Sequence, residues 1–159
     1  MKKEISVTII IMYILLLIPA VAYMFYLLTS TNTFQNDYKL ILECICVGGC
    51  GGILYCLRGI YLNYCVFNQW SNDWLPWYII RPIVSFVCGG VSYLFLKAGL
   101  LILEARKEVD ATNLGFFAFA FIAGMNVDKF ISKIEEIAQA TWGIEKSRTS
   151  AKGKENSQN

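Results

Sequence analysis

The sequence predicts an all-α membrane protein. Four transmembrane helices are expected, at about 5–28, 40–62, 77–103 and 113–145. Helix four carries a cytoplasmic amphipathic extension, and a disordered basic tail fills 146–159. Three observations predict this. Of 159 residues, 56% are hydrophobic and 16% charged, where a soluble domain carries about a quarter charged residues. Residues 5–36 form a run of 32 without a charge, longer than the roughly 20 that cross the hydrocarbon. Trp70, Trp74 and Trp77 then precede Arg81, Pro82 and an apolar run to Leu103, an aromatic-then-cation order suited to a chain entering a bilayer.

The first helix, Ile5 to Leu28, contains Pro19, which a spanning helix tolerates when neighbouring groups take up the freed carbonyl. Its start imitates a signal peptide, with Lys2-Lys3 ahead of an apolar stretch and Ala20-Val21-Ala22 as a cleavage-like site. The apolar run continues through Leu28, so a retained helix is expected. Tyr23 and Tyr26 fall towards the far interface.

The second helix, Leu40 to Leu62, carries Glu43 near its start and Arg58 near its end. Gly48 and Gly52 are four apart on one face, the spacing that lets another helix backbone approach. Packing within the chain, a subunit interface and a pore-facing hinge are all consistent with that face. Gly59 to Trp77 is aromatic and largely uncharged, with Ile60, Tyr64 and Phe67 on one helical face. It is expected to lie along the headgroup boundary. Trp70, Trp74 and Trp77 read as an interfacial anchor rather than a ligand cage.

The third helix, Trp77 to Leu103, places 15 uncharged residues between Arg81 and Lys97. Both cations can snorkel to opposite headgroup regions. Gly89, Gly90 and Ser92 form a second small-residue patch at the depth of the first, so helices two and three are expected to touch. Helix four is strongly apolar only over Leu114–Met125, about 18 Å of helix. It spans only by continuing through Asp128 and Lys129, as one helix or as two joined at Gly124–Asn126. Val127, Phe130, Ile131, Ile134, Ile137, Ala138 and Thr141 follow as a 3.6-period stripe.

With four spans and a cytoplasmic N-terminus, ten Lys and Arg residues fall inside and four outside, in keeping with the positive-inside bias. Both termini are then cytoplasmic. A three-span arrangement with 114–125 re-entrant is the competing topology. Glu43, Arg81 and Asp128 are the charges nearest the hydrocarbon, where ionisable groups are functional candidates by default. Arg81 and Asp128 are expected to pair, as a structural clasp or a gate. Glu43 is expected to snorkel or to pair with Lys39.

The net charge of +2 gives no argument for nucleic acid. The chain has no histidine, the commonest general base and metal ligand. Its six cysteines fit no zinc spacing and read as reduced packing residues. No catalytic, cofactor or metal residue is expected, and the chain is read as a non-enzyme.

Gly51-Gly-Ile-Leu-Tyr-Cys-Leu57, Trp74-Leu-Pro-Trp-Tyr-Ile-Ile-Arg-Pro82, Tyr93-Leu-Phe-Leu-Lys-Ala-Gly-Leu100 and Phe121 to Ile134 together resemble a family of small, uncharacterised bacterial integral membrane proteins. The likeness covers about two thirds of the chain. It departs from the family pattern at Asn126-Val127 and at Gly89-Gly90. It implies the helical architecture and the bacterial inner membrane, and carries no activity.

Two functions are expected to compete. One is an oligomeric membrane scaffold or assembly subunit, embedded in the lipid bilayer and docking a cytosolic protein through 127–159. The other is a subunit of an oligomeric ion channel or pore in a bacterial defence or stress system, with Glu43, Ser85 and Ser92 as its lining.

Overall fold

The computed structural model describes residues 2–30, 36–99 and 112–144. These residues are helical throughout their main elements. They comprise α1 (Lys2–Ser30), α2 (Asn36–Ile60), a π-helical turn (Tyr61–Val66), a 3-10 turn (Asn72–Trp74), α3 (Leu75–Lys97), α4 (Thr112–Met125) and α5 (Val127–Trp142). Three segments are long and apolar enough to cross a membrane: Ile5–Ser30, Tyr38–Val66 and Leu75–Lys97. The interrupted pair α4 and α5 makes a fourth if counted as one span. The chain is therefore a helical membrane protein with three or four spans.

The chain divides into two compact units, residues 1–126 and 127–159. In the first, α1 to α4 form a bundle with α2 as the hub, packed against α1, α3 and α4. Among the described side chains of α1, one stripe is buried: Val7, Ile10, Ile14, Val21 and Leu28. Their spacing follows the 3.6-residue period of a helix. Met12, Leu16, Tyr23 and Met24 are exposed, which in a bilayer means contact with acyl chains. Pro19 lies within α1 without ending it.

The register of α2 against α3 is antiparallel. Gly48 lies opposite Gly89, Gly52 opposite Ser85 and Gly59 opposite Tyr78. Helix α4 runs parallel to α2 and antiparallel to α3. Gly124 meets Gly48, and the Met125 amide nitrogen lies by Gly51. The Phe116 ring tilts against Tyr93 at 5.5 Å. Phe25 on α1 meets Phe117 edge-on at 6.3 Å, closing α1 onto α4.

The structure sharpens three expected boundaries. First, α3 stops at Lys97, not Leu103. The Ala98 and Gly99 amides bond back to Leu94 and Leu96. Gly99 takes a φ of +71°, the left-handed conformation that ends helices and suits glycine. Residues 100–103 lie outside the described residues, as does the tail from 146. Second, of the two forms expected for 113–145, the described residues take the two-helix one, broken at Asn126. The Asn126 amide bonds to the Ile122 carbonyl at 2.9 Å, and its side-chain Nδ2 lies 3.4 Å from the same oxygen. Helix α5 ends at Trp142, before Gly143 at φ +67°. Third, Gly59 to Trp77, expected along the headgroup boundary, is not one continuous element. It widens into the π turn, then reverses at Asn68, the one described non-glycine residue with positive φ (50°).

The second unit is described by α5, which carries its apolar stripe and its charged residues on one helix. Lys133 Nζ and Glu136 Oε2 form an exposed ion pair at 3.3 Å.

Candidate functional site

The glycines of α2, α3 and α4 bring three backbones together at mid-bundle. A Cβ on Gly48 would lie 2.6 Å from the Gly89 Cα and 2.8 Å from the Ser85 carbonyl oxygen. A Cβ on Gly124 would collide with the Gly48 carbonyl, and one on Gly51 with the Phe121 carbonyl. In lipid, apolar side chains gain nothing by leaving water, so close backbone packing and hydrogen bonds must hold helices together. Gly90 faces only the Ile45 side chain. The expected patch of Gly48, Gly52, Gly89 and Gly90 thus packs inside one chain. Gly124, the third partner, was not in it.

The polar groups of the bundle secure this junction. The Ser85 hydroxyl, fully buried, lies 2.8 Å from the Gly124 carbonyl and 2.9 Å from the Arg81 carbonyl, so its proton ties α3 to α4 or to its own turn. Ser92 donates to the Gly89 carbonyl at 2.7 Å. Both serines, expected as pore lining, are buried within the bundle. Glu43 is 7% exposed; its expected partner Lys39 donates to the Thr29 carbonyl at 3.3 Å, between α2 and the end of α1. Lys97 donates to the Tyr93 hydroxyl at 3.1 Å.

Arg81 is 6% exposed. Its guanidinium carbon lies 4.7 Å from the Tyr55 ring centre and 5.4 Å from that of Trp77. Cation–π attraction strengthens when the cation is desolvated, and both rings contribute here. Nη2 lies 3.5 Å from the Met125 carbonyl, at the outer limit of a hydrogen bond. That carbonyl belongs to the last turn of α4, where helix oxygens lack intrahelical donors and the dipole favours a cation. Arg81 thus joins α2, α3 and the end of α4. Asp128 stands in the first turn of α5, in the second unit, and its pairing with Arg81 stays a proposal.

Beside this cluster, where α2 ends and α3 begins, lies a cavity of about 450 Å³. That volume falls in the range of small-molecule sites. Tyr55, Arg58, Leu62 and Asn63 line one side, and Asp73, Trp74, Trp77 and Tyr78 the other. The π turn supplies Leu62 and Asn63, and such turns recur at functional sites. The Asn63 amide donates to the Tyr78 hydroxyl at 3.3 Å. Trp70 stacks on Tyr78 with centroids 5.3 Å apart, and Trp77 meets the same ring edge-on at 5.0 Å. Ser71 orients Asp73, donating to its carboxylate at 2.7 Å.

The three tryptophans therefore divide. Trp70 is buried, and its indole Nε1 meets no acceptor among the described residues. Trp74 and Trp77 remain exposed and line the cavity. Sequence reasoning missed Tyr55, Arg58, Asn63 and Asp73 as site residues. The clustered Ser71-Asn72-Asp73 turn was the available signal. The chain matches no protein-family model, no curated protein and no solved structure.

Proposed function

We propose that this chain is an oligomeric membrane scaffold or assembly subunit. It sits in a bacterial inner membrane with both termini cytoplasmic, and docks a cytosolic protein through α5 and the residues after it. One observation carries the reading: two buried polar side chains of the bundle, Ser85 and Arg81, bind helices to each other. Ser85 reaches the α4 backbone, and Arg81 caps α4 while lying against Tyr55 and Trp77. Such a core is built to hold shape. Because the glycine faces are used within one chain, oligomers form through other surfaces. The apolar groove of about 530 Å³ between α1 and α2, lined by Val21, Phe25, Cys50 and Leu54 among others, is one such surface.

The second reading, an oligomeric channel or pore, is favoured by Glu43, a buried carboxyl within a span. Native mass measurement and liposome flux on the full chain separate the two. The scaffold reading expects a defined oligomer and ion flux no greater than that of empty liposomes. Flux proportional to protein, and lowered by Glu43→Gln, would replace it with the pore.

A further inference from the structure

We propose that the cavity between the end of α2 and the start of α3 binds the zwitterionic headgroup of a membrane phospholipid. The observation is a juxtaposition of opposite charges in one aromatic pocket. Arg58 and Asp73, both exposed, line the same cavity with Trp74, Trp77, Asn63 and Tyr78. A phosphate matches Arg58, whose planar donors suit phosphate oxygens. The Tyr78 hydroxyl, already accepting from Asn63, has its own proton to add. An ammonium matches the Asp73 carboxylate, held in place by Ser71, and the aromatic lining that Trp74 and Trp77 supply.

The position fits a lipid rather than a solute. The span Tyr38–Val66 ends at the cavity and the span Leu75–Lys97 begins there, so the pocket opens at the depth of the headgroups. Tryptophan and tyrosine also collect at that depth. An anionic headgroup would leave Asp73 facing like charge. A neutral one would leave both charges unanswered. The assignment is independent of whether the protein acts as scaffold or pore.

The test is native mass measurement of the full chain in detergent, titrated with phosphatidylethanolamine, phosphatidylglycerol and diacylglycerol of identical acyl chains. Phosphatidylethanolamine is expected to bind about tenfold tighter than either, the value of roughly one hydrogen bond to a charged group. Asp73→Asn should remove the preference over phosphatidylglycerol. Arg58→Gln should weaken both phospholipids and leave diacylglycerol unchanged. Both positions are exposed, so the variants should remain folded, as a monodisperse elution profile would report. Equal binding of phosphatidylglycerol, or an unaltered ratio in Asp73→Asn, would overturn the proposal. Diacylglycerol binding as tightly would reduce the pocket to an acyl-chain groove. Displacement of the lipid by micromolar glycerophosphoethanolamine would reassign the pocket to a soluble zwitterion.

Discussion

Alanine at Gly48 should weaken the bundle, and the geometry says by how much. The new Cβ would sit 2.6 Å from the Gly89 Cα, 2.8 Å from the Ser85 oxygen and 2.9 Å from the Gly89 nitrogen. Comfortable carbon contacts lie at about 3.5–4.0 Å, so α2 and α3 must part by roughly 1 Å. All three obstacles are backbone and none can rotate away. Forced overpacking of this kind costs about 1–3 kcal/mol, and Ser85 would be drawn off the Gly124 carbonyl as well. Two other glycines serve as internal controls. At Gly90 the new Cβ meets only Ile45 side-chain atoms, at 2.9 and 3.3 Å, which can shift. At Gly115 it meets nothing within 4 Å, and alanine gains up to about 1 kcal/mol of helix propensity. Unfolding of the purified protein by heat or by denaturing detergent should rank Gly48→Ala least stable, Gly90→Ala near the parent and Gly115→Ala at or above it. A Gly48→Ala variant as stable as Gly115→Ala would refute the backbone-contact account.

Trp70→Ala should cost about 3–5 kcal/mol, as loss of a large buried aromatic does. Trp70→Phe should cost about 1.5 kcal/mol or less, because the ring stack on Tyr78 is kept and a buried indole N–H lacking an acceptor is removed; thermal melts of the two variants would show the gap. Arg81→Lys should lose most of what Arg81→Ala loses, about 2 kcal/mol, since an ammonium cannot lie flat against both Tyr55 and Trp77; full recovery by lysine would show that charge alone matters. The proposed Arg81–Asp128 pair is tested by a double-mutant cycle with Arg81→Ala and Asp128→Ala. A coupling of at least about 0.5 kcal/mol is expected, and additive losses would remove the pair.

Much of the bundle was legible because lipid imposes simple rules. Length and apolarity alone mark α1, α2 and α3, and glycines four apart mark Gly48 and Gly52 as a contact face. The ends were harder. The run Leu100–Leu103 looks like more helix, and only the left-handed Gly99 shows where α3 stops. Asn68 and the Ser71–Asp73 turn broke a stretch whose aromatic spacing suggested a helix. The site was the least legible part. Tyr55 reaches Arg81 only because α2 and α3 run antiparallel in one register, and Gly124 meets Gly48 only because α4 runs parallel to α2. No local pattern encodes either register. The charge pattern alone pointed to Arg81. The two rings and the α4 carbonyl around Arg81 emerge only when the helices are assembled.

The central claim is that α2, α3 and α4 meet backbone to backbone at Gly48, Gly89 and Gly124 within one chain. Solid-state NMR of the full-length protein in lipid bilayers, labelled with carbon-13 only at glycine, measures this directly. Labelled chains diluted into unlabelled ones restrict the signal to contacts within a chain. Cα–Cα cross-peaks joining Gly48 to Gly89 and Gly48 to Gly124 are expected, with none from Gly115 to either. If those two cross-peaks were absent in the diluted sample, the glycine faces would not pack within the chain, and the account would be contradicted.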